Sequence, residues 1–114
     1  PCPGTPNCVC SYDTDAGSAI APLTYSGSAT DAIAKLKEII QSMERTVIVT
    51  ESADYLQAEF KSKLMGFVDD VEFYADPSAG VIQVRSASRL GKSELGVNRQ
   101  RIELIREKLK SAGV

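Results

Sequence analysis

Histidine is absent from the 114 residues, and no other gap in the sequence excludes as much. Without an imidazole there is no His metal ligand, no His general base and no side chain whose ordinary titration falls near neutral pH. Cysteine is confined to Cys2, Cys8 and Cys10. Three thiolates with no His fall one short of the four ligands of a structural zinc site, so neither metal nor cofactor is expected. No apolar run approaches the roughly 20 residues of a membrane-spanning helix. Neither charge sign dominates: 13 Lys+Arg stand against 15 Asp+Glu, a net charge of -2, which argues against nucleic-acid binding through bulk positive charge. What remains is 43% hydrophobic and 25% charged residues, the composition of an ordinary globular chain of one-domain length.

The small net charge conceals a division along the chain. Residues 1–84 hold 5 basic and 12 acidic side chains, whereas residues 85–114 hold 8 basic and 3 acidic. The two parts attract each other, and the functional question is whether the basic third is neutralised internally or keeps a patch for a partner.

The cysteines lie in Pro1-Cys-Pro-Gly-Thr-Pro-Asn-Cys-Val-Cys10. Two readings stay open. Cys2 pairs with Cys8 or with Cys10, closing a short loop and leaving one thiol over, or all three are reduced in a loose arm. A catalytic Cys is disfavoured, since no His stands ready to lower its pKa. The first residue is Pro rather than Met, which suggests a processed product whose leader or anchor is out of view. Clustered cysteines behind such a cleavage point favour an oxidising, exported location.

Residues 1–27, rich in Pro, Ser, Gly, Thr and Asp, read as an extended arm, and residues 28–114 as one α+β domain. Ser28 and Asp31 resemble a capping box. After them Ile33, Leu36, Ile40 and Met43 recur at helical spacing, giving a first helix over 29–43. The period then falls to two. Residues 46–51, 55–61, 67–75 and 81–87 read as four strands, joined as hairpins through Ser52-Ala-Asp54 and Asp76-Pro-Ser-Ala-Gly80. Residues 89–96 form a loop. Asn98 is placed as an N-cap, and Ile102, Ile105 and Leu109 define a second helix over 99–111. The expected fold is a two-layer sandwich in the order helix, four strands, helix, with an antiparallel sheet and both helices on one face.

Several residues sit badly in that scheme. The inward phase of Val71 and Phe73 also takes in Asp69, and that of Ile82 and Val84 runs on to Ser86 and Ser88. With Ala75 opposite Gly80, Asp69 would face Ser86 and Asp70 would face Arg85. A buried carboxylate needs a donor, and the candidates are Ser86, Ser88 and an arginine from Arg89, Arg99 or Arg101. Arg99 and Arg101 fall in the first turn of the second helix, where the macrodipole disfavours cations by about 0.3–1 kcal/mol. Either Asp69, Asp70 or Glu72 answers them, locking helix to sheet, or Arg85, Arg89, Arg99 and Arg101 form a site for a phosphate, carboxylate or lipid headgroup. Leu64, Met65 and Phe67 form a hydrophobic turn that is either a core plug or a contact for a membrane or partner. Tyr55 and Tyr74, pointing outward, fit ordinary cross-strand packing.

At Phe67-Val-Asp-Asp-Val-Glu-Phe73, Arg85-Ser-Ala-Ser-Arg89 and Gly96-Val-Asn-Arg-Gln-Arg-Ile-Glu103 the chain resembles the family of domain of unknown function 1499. The resemblance extends over Pro6-Asn-Cys8, Ile20-Ala-Pro22 and Asp54-Tyr-Leu-Gln-Ala-Glu-Phe60. It implies a small domain of bacteria or photosynthetic eukaryotes, often behind a secretion, lipoprotein or plastid-targeting leader, with no agreed activity. Its motif residues fall on Asp69, Asp70, Glu72, Arg85, Ser86, Ser88, Arg89, Gly91, Gly96, Asn98, Arg99 and Arg101. Cys10 departs from the pattern, where Ser is expected. The function expected is that of a non-enzymatic interaction or accessory domain of an exported or plastid membrane-associated assembly. The alternative is an anion or lipid-headgroup binder using the arginine cluster. An enzyme would have to use Asp69 or Glu72 as acid or base.

Overall fold

The computed structural model describes residues 8–14, 17–61, 68–89 and 97–114. Its elements are β1 (Cys8–Cys10), α1 (Ala29–Ser42), β2 (Thr46–Glu51), β3 (Tyr55–Lys61), β4 (Val68–Asp76), β5 (Val81–Ser88) and α2 (Val97–Ser111). They form an α+β fold with one antiparallel sheet in the order β1-β5-β4-β3-β2. The expected order of helix, four strands, helix is therefore corrected, because a fifth strand precedes α1. At three residues, β1 is too short to show a period-two pattern within a Pro- and Cys-rich stretch. It pairs with β5, Val9 opposite Ser86 and Cys10 opposite Arg85.

The Ser28 Oγ accepts the Asp31 N–H at 3.0 Å, closing the first turn of α1 as an N-cap does. From that start Ile33, Leu36, Ile39 and Ile40 are buried, and Ile102, Ile105 and Leu109 of α2 are buried likewise. Both helices join the inward residues of the sheet, Leu56, Ala58, Phe60, Val71, Phe73, Ile82 and Val84, in a single apolar cluster. Phe73, Leu36 and Ile105 are fully enclosed, positions at which truncation to Ala costs about 2–5 kcal/mol.

The segment before α1 contributes to the same core. Val9, Ile20 and Leu23 are all buried in it. Leu23 and Ile82 exchange backbone hydrogen bonds at 2.9 and 2.8 Å, so Leu23 lines the β5 edge beyond β1. Arg106 of α2 donates to the carbonyls of Pro22 and Ala21, each at 2.8 Å. No helix among the described residues is long and apolar enough to cross a membrane.

Two further expectations are corrected. The β4–β5 hairpin closes at Asp76 opposite Val81 rather than at Ala75 opposite Gly80, which moves every partner by two positions and leaves each side chain on its face. The turn explains the choice. Asp76 accepts the Gly80 N–H on its carbonyl at 2.9 Å and the Ser78 N–H on Oδ1 at 3.0 Å. Gly80 takes the left-handed conformation, φ 67°, that glycine adopts without steric cost. The second correction concerns α2, which begins at Val97, so Asn98 lies within the helix and not at its cap. Arg101 consequently falls beyond the first few residues, away from the strongest part of the helix dipole.

Candidate functional site

The flagged residues separate into two groups on opposite faces of the sheet. Strand alternation directs Asp69 and Ser86 inward with Val71 and Phe73, and both are buried, as is Asn98. Arg101 reaches across from α2, its Nη2 standing 2.7 Å from Asp69 Oδ2. The guanidinium Nη1 donates to Asn98 Oδ1 at 2.8 Å and to Ser86 Oγ at 3.2 Å. Ser86 Oγ donates to Asn98 Oδ1 at 2.7 Å, and Asn98 Nδ2 donates to Ser88 Oγ at 3.2 Å. Beneath this the Arg101 guanidinium carbon lies 4.9 Å from the centre of the Phe60 ring, within cation–π range. Among the described residues no buried side-chain polar atom lacks a partner.

This arrangement joins α2 to β4 and β5 by chemistry that apolar packing could not place as specifically. The Arg101 charge answers the Asp69 charge, and the amide and hydroxyls orient the guanidinium. Asp69 finds its donor in Arg101, while Ser86 and Ser88 bond instead to Asn98.

On the outer face the two-position shift sets new partners. Glu72 lies opposite Arg85 and Asp70 opposite Ala87, so the expected facing of Asp70 and Arg85 is replaced by an Arg85–Glu72 pair, Nη1 to Oε1 at 3.4 Å. Asp70 is instead held by Arg89 through two parallel bonds, Nε to Oδ2 at 2.8 Å and Nη2 to Oδ1 at 2.9 Å. The same Nη2 reaches Glu59 Oε2 at 2.8 Å, and these hydrogen bonds push the guanidinium pKa further up. Arg85, Arg89 and Arg101 are thus each matched to carboxylates. Arg99 has no ion pair among the described residues. The arginine cluster is therefore spread over both faces, with three of its four charges compensated internally.

The outer face also carries an open cleft of about 200 Å³, lined by Tyr12, Tyr55, Tyr74, Glu72, Gln83 and Arg85 around Val84 and Cys10. Tyr55 and Tyr74 face one another across β3 and β4. The Tyr55 hydroxyl donates to Glu72 Oε2 at 2.7 Å. Burial first, and then that bond to a carboxylate, push its pKa up to about 12. Tyr12 follows β1, where Ser11 Oγ donates to Gln83 Oε1 at 2.7 Å and accepts the Val84 N–H at 2.8 Å.

The sequence pointed to Tyr55 and Tyr74 only as packing residues and passed over Tyr12, Gln83 and Glu59. Glu59 was recoverable, since strand alternation turns it to the same face as Asp70. Tyr12 stands in a non-periodic stretch and carries no such signal. Cys10 is a free, buried thiol, which removes it from the expected disulfide choices. Cys2, Leu64, Met65, Phe67, Gly91 and Gly96 lie outside the described residues. Among the described residues no cluster of three His, Cys, Asp or Glu side chains could hold a metal ion.

No curated protein and no solved structure matches the chain. A family model does match, over residues 1–109, covering the buried Asp69–Arg101 network, the outer ion pairs and the tyrosine-lined cleft alike. The chain belongs to that family, described as a protein of unknown function (DUF1499).

Proposed function

We propose that this chain is a non-enzymatic interaction domain, an accessory part of an exported or plastid membrane-associated assembly, and that it meets its partner through the outer face of its sheet. The observation that carries the reading is the distribution of pairing. Among the described residues no buried side-chain polar atom lacks a partner, while the outer face offers Tyr12 and Tyr74, 57% and 37% exposed, around an open cleft with Arg85. Tyrosine and arginine dominate the residues that supply most of the binding energy at protein interfaces. The anion-binding alternative would need guanidinium groups free to meet a ligand, and three of the four are engaged with carboxylates.

A photo-crosslinking residue placed at Tyr74 in the full chain, expressed in its own host, tests the proposal. Discrete adducts are expected from Tyr74 and none from Leu104, an exposed apolar residue of α2. Adducts from Leu104 alone, or from neither position, would reject the outer face as the interface. We further propose that Cys2 and Cys8 form a disulfide tethering the start of the chain to β1. Cys10 as the free thiol supports this, since Cys8 is not free among the described residues.

A further inference from the structure

The chain has four tyrosines and no tryptophan, and three of the four line the cleft beside β1. Two of them, Tyr12 and Tyr74, belong to the few large hydrophobic side chains left exposed among the described residues. The floor is the buried Cys10 together with β5 at Val84, whose side chain turns to the inner face. A cleft this small keeps anything inside it within the ~6 Å over which an aromatic ring attracts a cation.

The charges around the cleft favour a cation. Arg85 is matched by Glu72, whose second oxygen is held by the Tyr55 hydroxyl. Gln83 Nε2 donates to Asp76 Oδ2 at 3.2 Å, bringing a second carboxylate to the same end of the sheet. Counting Glu72, Asp76 and Arg85, the balance there is one negative charge. The phenol of Tyr12 responds to it: burial first, and then the neighbouring Asp76, raise its pKa. A simple metal cation would have to exchange its hydration for several oxygen ligands, and the lining offers it a single carboxylate, Glu72, already engaged by Tyr55 and Arg85. A quaternary ammonium carries its charge inside a shell of methyl groups, so it suits apolar walls, ring faces and a surplus carboxylate together.

We propose that the cleft between Tyr12, Tyr55 and Tyr74 binds a quaternary ammonium group, carried by a free choline-like molecule or by a lipid headgroup. This goes beyond the interaction reading and holds whether or not a protein partner uses the same face.

Because the chain lacks tryptophan, its tyrosine emission reports on the cleft directly. Titration of the full chain with choline and with tetramethylammonium is expected to give a saturable change. The neutral isostere 3,3-dimethylbutan-1-ol should bind about tenfold more weakly, the loss that follows when two exposed cation–π contacts are removed. Tyr12→Leu and Tyr74→Leu keep an apolar wall and should each weaken choline by about threefold with an unchanged urea midpoint, whereas Arg85→Gln should tighten it. Vesicles of phosphatidylcholine and of phosphatidylglycerol separate the sources. Co-sedimentation with the former alone, lost in Tyr12→Leu, identifies a headgroup, and saturation by free choline without vesicle binding identifies a soluble ligand. Equal binding of the neutral isostere, binding of benzoate that depends on Arg85, or no response to choline and vesicles alike would overturn the proposal.

Discussion

Arg101 Nη2 lies 2.7 Å from Asp69 Oδ2, with side-chain exposures of 14% and 11%. Among the described residues it is the ion pair most withdrawn from solvent, and it links α2 to a strand at the centre of the sheet. Breaking such a pair from one side leaves a charge without compensation in a medium that solvates it poorly, at a cost of about 3–5 kcal/mol. Arg101→Met should therefore lower the urea midpoint sharply. Removing both charges avoids the orphan, so Asp69→Leu combined with Arg101→Met should be more stable than Arg101→Met alone. Strictly additive losses in the double-mutant cycle would mean that the two side chains are not coupled.

The Tyr55–Glu72 bond ties stability to alkaline pH. The Tyr55 pKa is raised from 10.0 to about 12 by burial and by its hydrogen bond to Glu72. The folded state therefore keeps the phenolic proton when the unfolded chain has lost it. The resulting stabilisation is fully present below pH 10 and disappears as pH rises toward 12. A spectrophotometric titration should show one tyrosine ionising near 12, and Tyr55→Phe should remove that step and flatten the fall in urea midpoint across the same interval. A slope unchanged in Tyr55→Phe would assign it to another group.

These relationships were legible to different degrees in the sequence. Strand alternation placed Asp69, Ser86 and Ser88 on the inner face and Asp70, Glu72 and Arg85 on the outer, and those assignments survive because a shift of two residues preserves side-chain parity. The partners themselves were not legible. They depend on which residue closes the hairpin, and that is decided by the Asp76 side chain and the left-handed Gly80, whose effects run over only a few ångströms. Asn98 was misplaced for a related reason. Its type fits a helix cap, but a buried Ser86 and an Arg101 one turn on give its amide better partners inside the helix. The strand at Cys8–Cys10 was invisible to periodicity, being three residues long and stabilised by β5 rather than by its own pattern.

Arg89 provides a contrast with Arg101. It makes more bonds to carboxylates, two to Asp70 and one to Glu59, yet half of its side chain is exposed. Solvent and salt therefore screen the interaction in a way they cannot inside the core. Arg89→Ala should lower the urea midpoint slightly at low ionic strength, and the difference from the parent chain should shrink toward zero in 1 M salt, where the screening length is only about 3 Å. The deficit of Arg101→Met should persist under the same conditions. Equal salt sensitivity in the two variants would contradict the difference in burial.

The proposed Cys2–Cys8 bond makes a prediction about thiol number. Cys10 is 1% exposed, so it should react with a thiol reagent only when the chain opens, while a bonded pair should not react without reductant. The native protein should give essentially no fast-reacting thiol, the denatured unreduced protein one, and the denatured reduced protein all three cysteines of the sequence. Cys10→Ser should abolish the reaction of the unreduced denatured chain without altering its disulfide. Three reactive thiols in the unreduced denatured chain would show the start of the chain to be untethered. Two reactive thiols in unreduced, denatured Cys10→Ser would place the bond on Cys10 instead, at odds with the free thiol found between Val9 and Ser11.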